Sequence, residues 1–484
     1  MDDRGTRVRR ADEGDGSADV RPLVAVVGAG IAGLAAAWRL VAGPDAPRVV
    51  VLEASGRVGG KLQVGDLDGL RVDLGAESML ARRPEGVELV RAAGLGDDLV
   101  SPRPAGARIW SRGGLRALPT GTLMGVPSGP HGLEALLLPD EVSTLLAEPA
   151  GVWQPVVDDV DVATFVSARV GPAVVDRLVE PLLGGVYAGR SDRLSLQATV
   201  PALWQAATAG RSVVEAAAAA ARAGTATQAP VFAGVRGGVG RLPEALALTL
   251  DERGVEIRTG CTVRALHRTA DGWRLVTGPT TDERALDVSA VVLATPAAPT
   301  SRLLRAHSAT AADALAGVEY ASVALVTAVL PRSVAGSLPG SGFLVPPVEG
   351  RLVKAATFSS SKWEWSDDAD AERVVLRTSV GRHGDEADLQ REDADLVRVA
   401  VDDLSELLGT PLPVLASTVS RWGGALPQYA VGHVGRVAAV RRALDALPGL
   451  AVAGAAYDGV GIPACIASGD AAARLVGRHL AAPT

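Results

Sequence analysis

Three glycines and one acidic residue near the amino terminus have the types and spacing of a dinucleotide-binding site. The glycines are Gly28, Gly30 and Gly33, and Glu53 lies 20 residues beyond the last of them. The first glycine permits a tight turn, the second lets the backbone approach a pyrophosphate, and the third lets a helix pack closely on a strand. The pyrophosphate then lies at the amino end of that helix, where free N–H groups favour an anion. Glu53 can accept a hydrogen bond from an adenosine ribose, which argues against the 2′-phosphate of NADP.

A second group of glycines, flanked by cations, follows the acidic residue. The chain reads Arg57-Val-Gly-Gly60-Lys61. Adjacent glycines let the backbone pass close to a cofactor, and the two cations can neutralise the charge of a diphosphate. This arrangement is typical of proteins that bind FAD and argues against an NAD-linked dehydrogenase. The alternative is a surface turn with two solvated cations.

A glycine-rich segment near the carboxyl terminus precedes a helical pattern. Gly459-Val-Gly-Ile-Pro463 follows the apolar run Leu450-Ala-Val-Ala-Gly454, and apolar residues then recur with helical spacing as far as Leu480. Pro463 lies where a helix would begin, a position at which its missing N–H costs nothing. Such a helix directs its positive end at an anionic group, and in a flavoprotein this can be the pyrimidine side of the flavin, which becomes negative on reduction. The alternative is a terminal packing helix with a glycine cap.

The apolar pattern predicts the elements that position these residues. Residues 23–27 and 49–52 are continuous, β-branched runs typical of buried parallel strands, and residues 34–40 have a helical pattern. Alternating apolar residues predict further strands at 254–258, 262–266, 273–276 and 288–293. Between these parts, residues 116–224 are predicted to be mostly helical, and residues 299–430 to mix strands and helices.

The composition excludes several classes of protein. Hydrophobic residues make up 48% and charged residues 21%, as in ordinary globular chains, and the net charge of −7 with no basic patch argues against a nucleic-acid partner. Cys261 and Cys465 are too few for a disulfide framework, and no Cys/His spacing resembles a zinc site, so no metal is expected. Residues 1–21 are charged, without the apolar stretch of a secretory signal, and are predicted to be disordered. No apolar run predicts a membrane span, so we expect a cytoplasmic protein without stable membrane insertion.

Four further motifs carry a resemblance to a known family. They are Leu74-Gly-Ala-Glu-Ser78, Glu180-Pro-Leu-Leu-Gly-Gly-Val-Tyr187 with Asp192-Arg-Leu-Ser195, Arg421-Trp422 through Gly432-His433, and Gly459-Val-Gly-Ile-Pro463-Ala-Cys465-Ile466. On these residues the chain resembles the protoporphyrinogen/coproporphyrinogen oxidases, flavoenzymes of the monoamine-oxidase-like superfamily, from about residue 22 to residue 480. Ala76 departs from the proline usual in the family. Within the family the chain looks most like the water-soluble Gram-positive branch, which oxidises coproporphyrinogen III.

The resemblance implies the fold and the cofactor site. The expected fold is α/β (α+β overall), with a discontinuous Rossmann-like FAD-binding domain at 22–103, 225–298 and 431–484, a mixed-sheet substrate domain at 104–115 and 299–430, and a helical domain at 116–224. Together with Arg57 and Gly60 from the second glycine group, the predicted FAD-binding residues are Gly28, Ala29, Gly30, Ile31, Ala32, Gly33, Glu53, Ala54, Lys61, Gly75, Ala76, Glu77, Ser78, Val263, Trp422, Val460, Gly461 and Ile462.

The implied activity is the removal of six hydrogens from coproporphyrinogen III in heme biosynthesis, with dioxygen as acceptor and peroxide as product. FAD carries the hydride transfer, so no catalytic side chain is assigned. Candidate partners of the substrate propionates are Arg82, Arg83 and Arg190, with Lys362 a weaker one. The alternative for each arginine is a solvated surface charge, and Tyr187 is expected either to stack on the macrocycle or to fill the core.

Several alternatives remain open at this stage. They are a protoporphyrinogen IX oxidase, an amine oxidase or carotenoid-type desaturase of the same superfamily, an NAD-linked dehydrogenase, and a non-catalytic, membrane-bound heme-pathway scaffold that keeps the flavin site as a relic. The low aromatic content of 3% argues against an aromatic amine-binding cage. The expected partners are coproporphyrinogen III and dioxygen, with a transient contact to the next heme-pathway enzyme, in a monomer or dimer.

Overall fold

Five parallel strands from three parts of the chain form one sheet in the computed structural model, which describes residues 21–225 and 230–482. Across the sheet the strands are Glu256–Arg258, Arg48–Leu52, Leu23–Val27, Ala290–Leu293 and Leu450–Val452. Numbered along the chain, their order is 3-2-1-4-5, as in dinucleotide-binding sheets, and ligands bind at the point where this order reverses. The predicted extension at residues 1–21 lies, apart from Arg21, outside the described residues.

Helices cover one face of this sheet. They are Ile31–Leu40, Arg241–Glu252 and Ile462–Ala481, whose apolar residues share one core with the strands. The first and last of these helices meet at Gly469, where a Cβ atom would lie 2.1 Å from the carbonyl oxygen of Ala32. This backbone contact holds the two amino-terminal helix ends near each other at the same edge of the sheet.

A small antiparallel sheet and three helices cover the other face. The strands are Val263–Arg268, Trp273–Thr277 and Arg284–Val288, and the helices are Ala297–Leu304, Ala309–Ala316 and His433–Leu444. Leu303 and Leu304 are buried against this layer, so residues 299–316 pack with the five-stranded sheet rather than with the second domain in which they were predicted. The strand predicted at 288–293 is divided, because Ser289 leaves the antiparallel sheet and donates its N–H to the carbonyl of Leu23.

A seven-stranded mixed sheet forms the second domain. Its strands, in order, are Ala416–Pro427, Tyr320–Pro331, Arg373–Val380, Val353–Phe358, Gly342–Leu344, Arg108–Ser111 and Gly114–Ala117. Neighbours are antiparallel except Gly342–Leu344 with Arg108–Ser111. The helix Asp393–Leu408 buries Leu396, Ala400 and Leu404 against one face. The hairpin Val64–Leu67 and Leu70–Asp73 packs against Val329 and Val375.

Short helices follow the strand Gly114–Ala117 along the chain and form a helical domain. They are Pro139–Ala147, Val162–Val170, Pro172–Val174, the π-helix Val175–Val179, Glu180–Tyr187, Leu196–Thr199, Pro201–Thr208 and Val213–Thr225. Prolines stand at the start of three of them, where a missing N–H is tolerated. Asp161 and Ser195 cap two others by accepting the N–H groups of Thr164 and Ala198.

The remaining elements connect these layers. Met79–Leu80, Phe232–Val235 and Leu99–Val100 form a three-stranded sheet, Thr122–Leu123 pairs with Val126–Pro127, and the helices Pro84–Ala92, Ser359–Lys362 and Glu364–Asp367 complete the described chain together with short 3-10 turns. The α/β fold class with a discontinuous first domain, a mixed-sheet domain and a helical domain is confirmed. Within the described residues, no helix is both long and apolar enough to cross a membrane.

Candidate active site

A cavity of about 520 Å³ lies at the carboxyl ends of the parallel strands. It lies where the strand order reverses, the usual ligand position in such sheets. Twelve of the predicted cofactor residues line it: Gly28, Gly30, Ile31, Ala32, Glu53, Ala54, Gly60, Lys61, Ala76, Val263, Val460 and Ile462. The predicted residues that lie outside its wall are Ala29, Gly33, Arg57, Gly75, Glu77, Ser78, Trp422 and Gly461.

The glycine turn has the geometry of an anion cradle. Gly28 has φ of +104°, and a Cβ atom on Gly33 would lie 1.9 Å from the carbonyl oxygen of Gly28, so strand and helix are in backbone contact. A Cβ atom on Gly30 would meet nothing within 4 Å, because this residue faces the open cavity. The first helical bond is Leu34 N–H to Gly30, which leaves the N–H groups of the preceding turn available for an anion. A pyrophosphate therefore fits the turn.

Glu53 connects the glycine turn to the second glycine group. One carboxylate oxygen accepts the N–H of Ala29 and the other accepts the N–H of Ser55, both at 2.8 Å. Each oxygen keeps a lone pair that a ribose hydroxyl can use. The backbone carbonyl of Glu53 accepts the N–H of Cys261, and Cys261 also lines the cavity.

The two cations of the second glycine group have different surroundings. Lys61 lines the cavity and forms no ion pair within the described chain; its Nζ lies 5.9 Å from the ring centroid of Tyr320, and burial lowers its pKa. Arg57 instead donates to the carbonyls of Val58 and Gly60, at 3.1 and 2.7 Å. Its guanidinium lies 5.8 Å from the ring of Trp422, so the structure places Arg57 as a brace of the loop. A direct contact of Arg57 with a diphosphate stays a prediction.

Glu77 lies behind the cavity wall, in a buried ion cluster. Its carboxylate accepts from Arg377 at 2.7 Å, Trp363 Nε1 at 2.7 Å and Lys362 at 3.0 Å. Burial raises the pKa of Glu77, but Lys362 and Arg377 outweigh it and lower the pKa to about 2. The loop from Gly75 to Ser78 thus presents Ala76 to the cavity and Glu77 to the seven-stranded sheet. Lys362, a weaker propionate candidate, is paired in this cluster.

The carboxyl-terminal segment reaches the cavity through Val460 and Ile462. Gly461 caps the helix, and Pro463 is its second residue, as the sequence indicates. Cys465 also lines the cavity; burial raises the pKa of its thiol to about 11, against the opposing charges of Lys61 and Arg83. The amino end of this helix therefore contributes positive potential to the same wall as Lys61.

The candidate propionate partners are dispersed. Arg82 is exposed and forms no hydrogen bond or ion pair with any described residue. Arg83 pairs with Glu85 at 2.6 Å, and Arg190 makes a two-point contact with Asp192 at 3.0 and 2.6 Å beside a second cavity of about 620 Å³. Tyr187 is buried in the helical domain, where burial raises its pKa to about 12, so the structure favours the core interpretation for it.

Sequence reasoning missed more than half of the cavity wall. The unassigned lining residues include Cys261, Thr262, Thr295, Pro296, Pro299, Arg302, Tyr320, Ala425, Leu426, Ala455, Ala456 and Cys465. Thr295 and Pro296 directly follow a parallel strand, so the rule that ligands bind at strand carboxyl ends could have found them. Tyr320 and Arg302 have no local signal, because only tertiary packing brings them to this sheet.

Residues 31–477 match the model of the family described as flavin containing amine oxidoreductase. The chain belongs to this family. Its cofactor is therefore a flavin, and the cavity at the edge of the parallel sheet, with its glycine turn, is the candidate flavin site. The chain is 36% identical to a coproporphyrinogen III oxidase of Mycobacterium leprae, over 92% of this chain and 95% of that one.

Two more distant relatives agree with this assignment. The coproporphyrinogen III oxidase of Bacillus subtilis is 31% identical, over 94% of this chain and 97% of that one, and the protoporphyrinogen oxidase of Bos taurus is 30% identical, over 94% and 98%. A crystal structure from Exiguobacterium sp. 255-15, named as a candidate protoporphyrinogen oxidase, superimposes with a TM-score of 0.83 at 29% identity, covering 95% of this chain and 99% of that one. The resemblance drawn from the motifs is confirmed.

Proposed function

We propose that this chain is an FAD-dependent oxidase that converts coproporphyrinogen III to coproporphyrin III in heme biosynthesis, with dioxygen as acceptor and peroxide as product. The observation that carries the proposal is one cavity, walled by the glycine turn, Glu53, Lys61 and Ile462, in a chain whose relatives named coproporphyrinogen III oxidase are 31% and 36% identical. The cytoplasm is the proposed location, as the resemblance to the water-soluble branch implies.

We favour FAD over a smaller flavin because the glycine turn and Glu53 together would suit an adenosine diphosphate group. The N–H groups after Gly30 would hold the pyrophosphate and Glu53 the adenosine ribose, and Glu53 would have no such ribose to bind in FMN. Lys61 and the amino end of the helix Ile462–Ala481 would supply positive charge to the ring system. When bound, the flavin supplies the hydride-accepting chemistry that the side chains lack.

Among the described residues of the cavity wall, the carboxylate, the thiol and the phenol are poorly suited to act as a general base near neutral pH, which leaves Lys61, whose pKa burial lowers, as the one candidate. Glu53 is engaged by two N–H groups, and Cys465 is a buried thiol whose pKa is raised to about 11. Tyr320 accepts the N–H of Ala297, and burial raises its pKa. These side chains therefore position the macrocycle and exclude water, while pyrrole protons leave to solvent.

The proposed preference for four propionates depends on cations that are free to pair with them. An unpaired buried carboxylate is costly, so a tetra-acid needs more cationic partners than a di-acid. Arg82 would be able to pair with a propionate without giving up another partner, because it is exposed and has no partner among the described residues. Arg190 would first have to leave Asp192, and Lys362 would have to leave Glu77.

A parallel assay of both porphyrinogens tests the proposal. Each substrate is supplied to the purified flavoprotein, and porphyrin fluorescence, oxygen uptake and peroxide are followed at low and high salt. We expect faster turnover of coproporphyrinogen III, stronger inhibition of that reaction by salt, and about three molecules of peroxide per porphyrin because six hydrogens leave in three pairs. Equal, salt-insensitive rates would instead support a protoporphyrinogen-type oxidase, and a preparation without a flavin spectrum would contradict both. Recovery mainly in a membrane pellet would contradict the proposed location.

A further inference from the structure

One phenolic hydroxyl bridges the two ends of a segment in the cavity wall. The hydroxyl of Tyr429 donates to the carbonyl oxygen of Ala455 at 2.7 Å and accepts the N–H of Gly459, also at 2.7 Å. Ala455 and Val460 line the cavity, and the last helix begins at Ile462. The two bonds therefore set the separation between the end of a parallel strand and the start of that helix.

The Tyr429 ring is itself held firmly. It is 2% exposed and stacks on the imidazole of His433, with ring centroids 3.8 Å apart and planes inclined by 13°. Burial raises the pKa of Tyr429 well above its ordinary value, so the hydroxyl remains a donor at physiological pH. A rigid ring with a protonated hydroxyl is suited to fix a backbone segment.

The same stretch of chain is bonded to the helical domain. The carbonyl of Tyr429 accepts the N–H of Ser195 at 2.7 Å, and Gln428 Nε2 donates to the carbonyl of Tyr187 at 2.9 Å. Residues 428–429 thus contact the helical domain on one side and the cavity wall on the other. A displacement of the helical domain relative to residues 428–429 would therefore be transmitted to the cavity wall by the Tyr429 side chain.

The bridged segment needs such support because of its glycines. Gly454 and Gly459 have φ of +121° and +138°, which few other residues adopt, and glycine gains much conformational entropy when it is released. Other side-chain bonds to the segment are weaker or peripheral: Ser468 Oγ with Gly454 N–H at 3.1 Å, His433 with the Tyr457 carbonyl at 3.3 Å, and an ion pair between Arg441 and Asp458 at the surface.

We propose that Tyr429 is a positioning residue for the flavin, which fixes the segment 455–459 and, through it, the amino end of the helix Ile462–Ala481 at the cavity. The inference rests on the flavin site of the proposed function and not on the identity of the porphyrinogen. Tyr429 acts through the backbone, because the described structure gives its hydroxyl two main-chain partners.

Tyr429→Phe tests this role, with Tyr457→Phe as the matched control that removes a buried phenol from the same segment. In the wild-type apoprotein the Gly459 N–H should exchange with solvent at the slow rate of core amides. Tyr429→Phe removes both hydrogen bonds of the hydroxyl, so this exchange should be about tenfold faster and the dissociation constant for FAD about three- to tenfold higher. The flavin potential should become more negative because the positive helix end is less well placed, and kcat should fall without a change in KM.

Three results would overturn the proposal. They are rapid Gly459 exchange in the wild type, an unchanged exchange rate and potential in Tyr429→Phe, and equal changes in Tyr457→Phe. Rapid exchange of Gly459 in the wild type would overturn the proposal even if the variant folds poorly. If exchange and potential change as expected while the wild type oxidises neither porphyrinogen, the positioning role stands and the proposed substrate is wrong.

Discussion

Glu77 and Arg377 form a buried ion pair between residues that are 300 positions apart in the chain. The pair joins Nη1 to Oε2 at 2.7 Å, and Arg377 also donates from Nη2 to the carbonyl of Gly75 at 2.6 Å. Gly75 has no space for a side chain, since a Cβ atom would lie 2.0 Å from the carbonyl of Lys61. The seven-stranded sheet thus holds in place the loop that brings Lys61 and Ala76 to the flavin cavity.

This pair predicts a specific dependence of stability on pH. The folded-state pKa of Glu77 is about 2 and the ordinary value 4.5, so its stabilising contribution is complete above pH ~4.5 and is lost as pH falls toward 2. Glu77→Gln leaves the buried Arg377 and the partly buried Lys362 without their counter-charge and should lower the free energy of unfolding by about 3–5 kcal/mol at pH 7. Denaturant titrations should show this difference shrinking between pH ~4.5 and ~2. The exposed pair of Asp287 and Arg274 supplies the control, Asp287→Asn, which should change little at any pH. An equal loss at pH 7 and at pH 2.5 would contradict the assignment.

Alanine substitutions at two glycines of one turn should affect different properties: Gly33→Ala the stability of the protein, and Gly30→Ala its affinity for FAD. Gly33→Ala places a methyl group 1.9 Å from the carbonyl of Gly28 and should destabilise the protein by about 3 kcal/mol or more. Gly30→Ala meets no atom within 4 Å, so stability should change by less than about 0.5 kcal/mol. Its methyl group enters the cavity, however, and should weaken FAD binding by about tenfold or more. Thermal unfolding of the apoprotein and FAD titration separate the two effects, and full flavin affinity in Gly30→Ala would place the pyrophosphate elsewhere.

Sequence reasoning succeeded where neighbouring residues determine the structure. The turn from Gly28 to Gly33 and the helix start at Pro463 depend on short-range backbone geometry, which the spacing of glycine and proline reveals. The partner of Glu77 could not be found, because nothing in the pattern around Arg377 indicates that it faces a loop on the other domain. The pairing of Arg190 with Asp192 was equally hidden, since a carboxylate two residues away in the sequence does not by itself predict an ion pair. Which cations remain free to pair with a substrate carboxylate therefore depends on long-range packing and not on local sequence.

Glu53 should contribute to FAD affinity both directly and through the turn. Glu53→Ala removes the acceptor for the ribose and also the bonds from Ala29 and Ser55, so the dissociation constant should rise about ten- to a hundredfold. Glu256 lies on the adjacent strand and pairs with Arg258 outside the cavity, so Glu256→Ala is the matched control and should bind FAD as the wild type does. Equilibrium titration of the apoproteins measures both. Stoichiometric flavin in Glu53→Ala after dilution and dialysis would refute the ribose assignment.

Arg82 and Arg190 should differ in their effect on the tetra-acid substrate. Arg82 is exposed and forms no bond with any described residue, whereas Asp192 holds Arg190 and raises its pKa. Arg82→Ala should therefore raise KM for coproporphyrinogen III about three- to tenfold, the effect of one partly solvated charge-assisted contact, with no loss of flavin. Arg190→Ala should change it less, since an arginine already paired gains little from a carboxylate. Arg82→Lys keeps the charge without the two-point geometry and should raise KM by an intermediate factor.

Steady-state kinetics on both porphyrinogens at low and high salt measure these effects, with Arg274→Ala, outside the cavity wall, as the control. A KM for coproporphyrinogen unchanged in Arg82→Ala but raised in Arg190→Ala would move the propionate site to the second cavity.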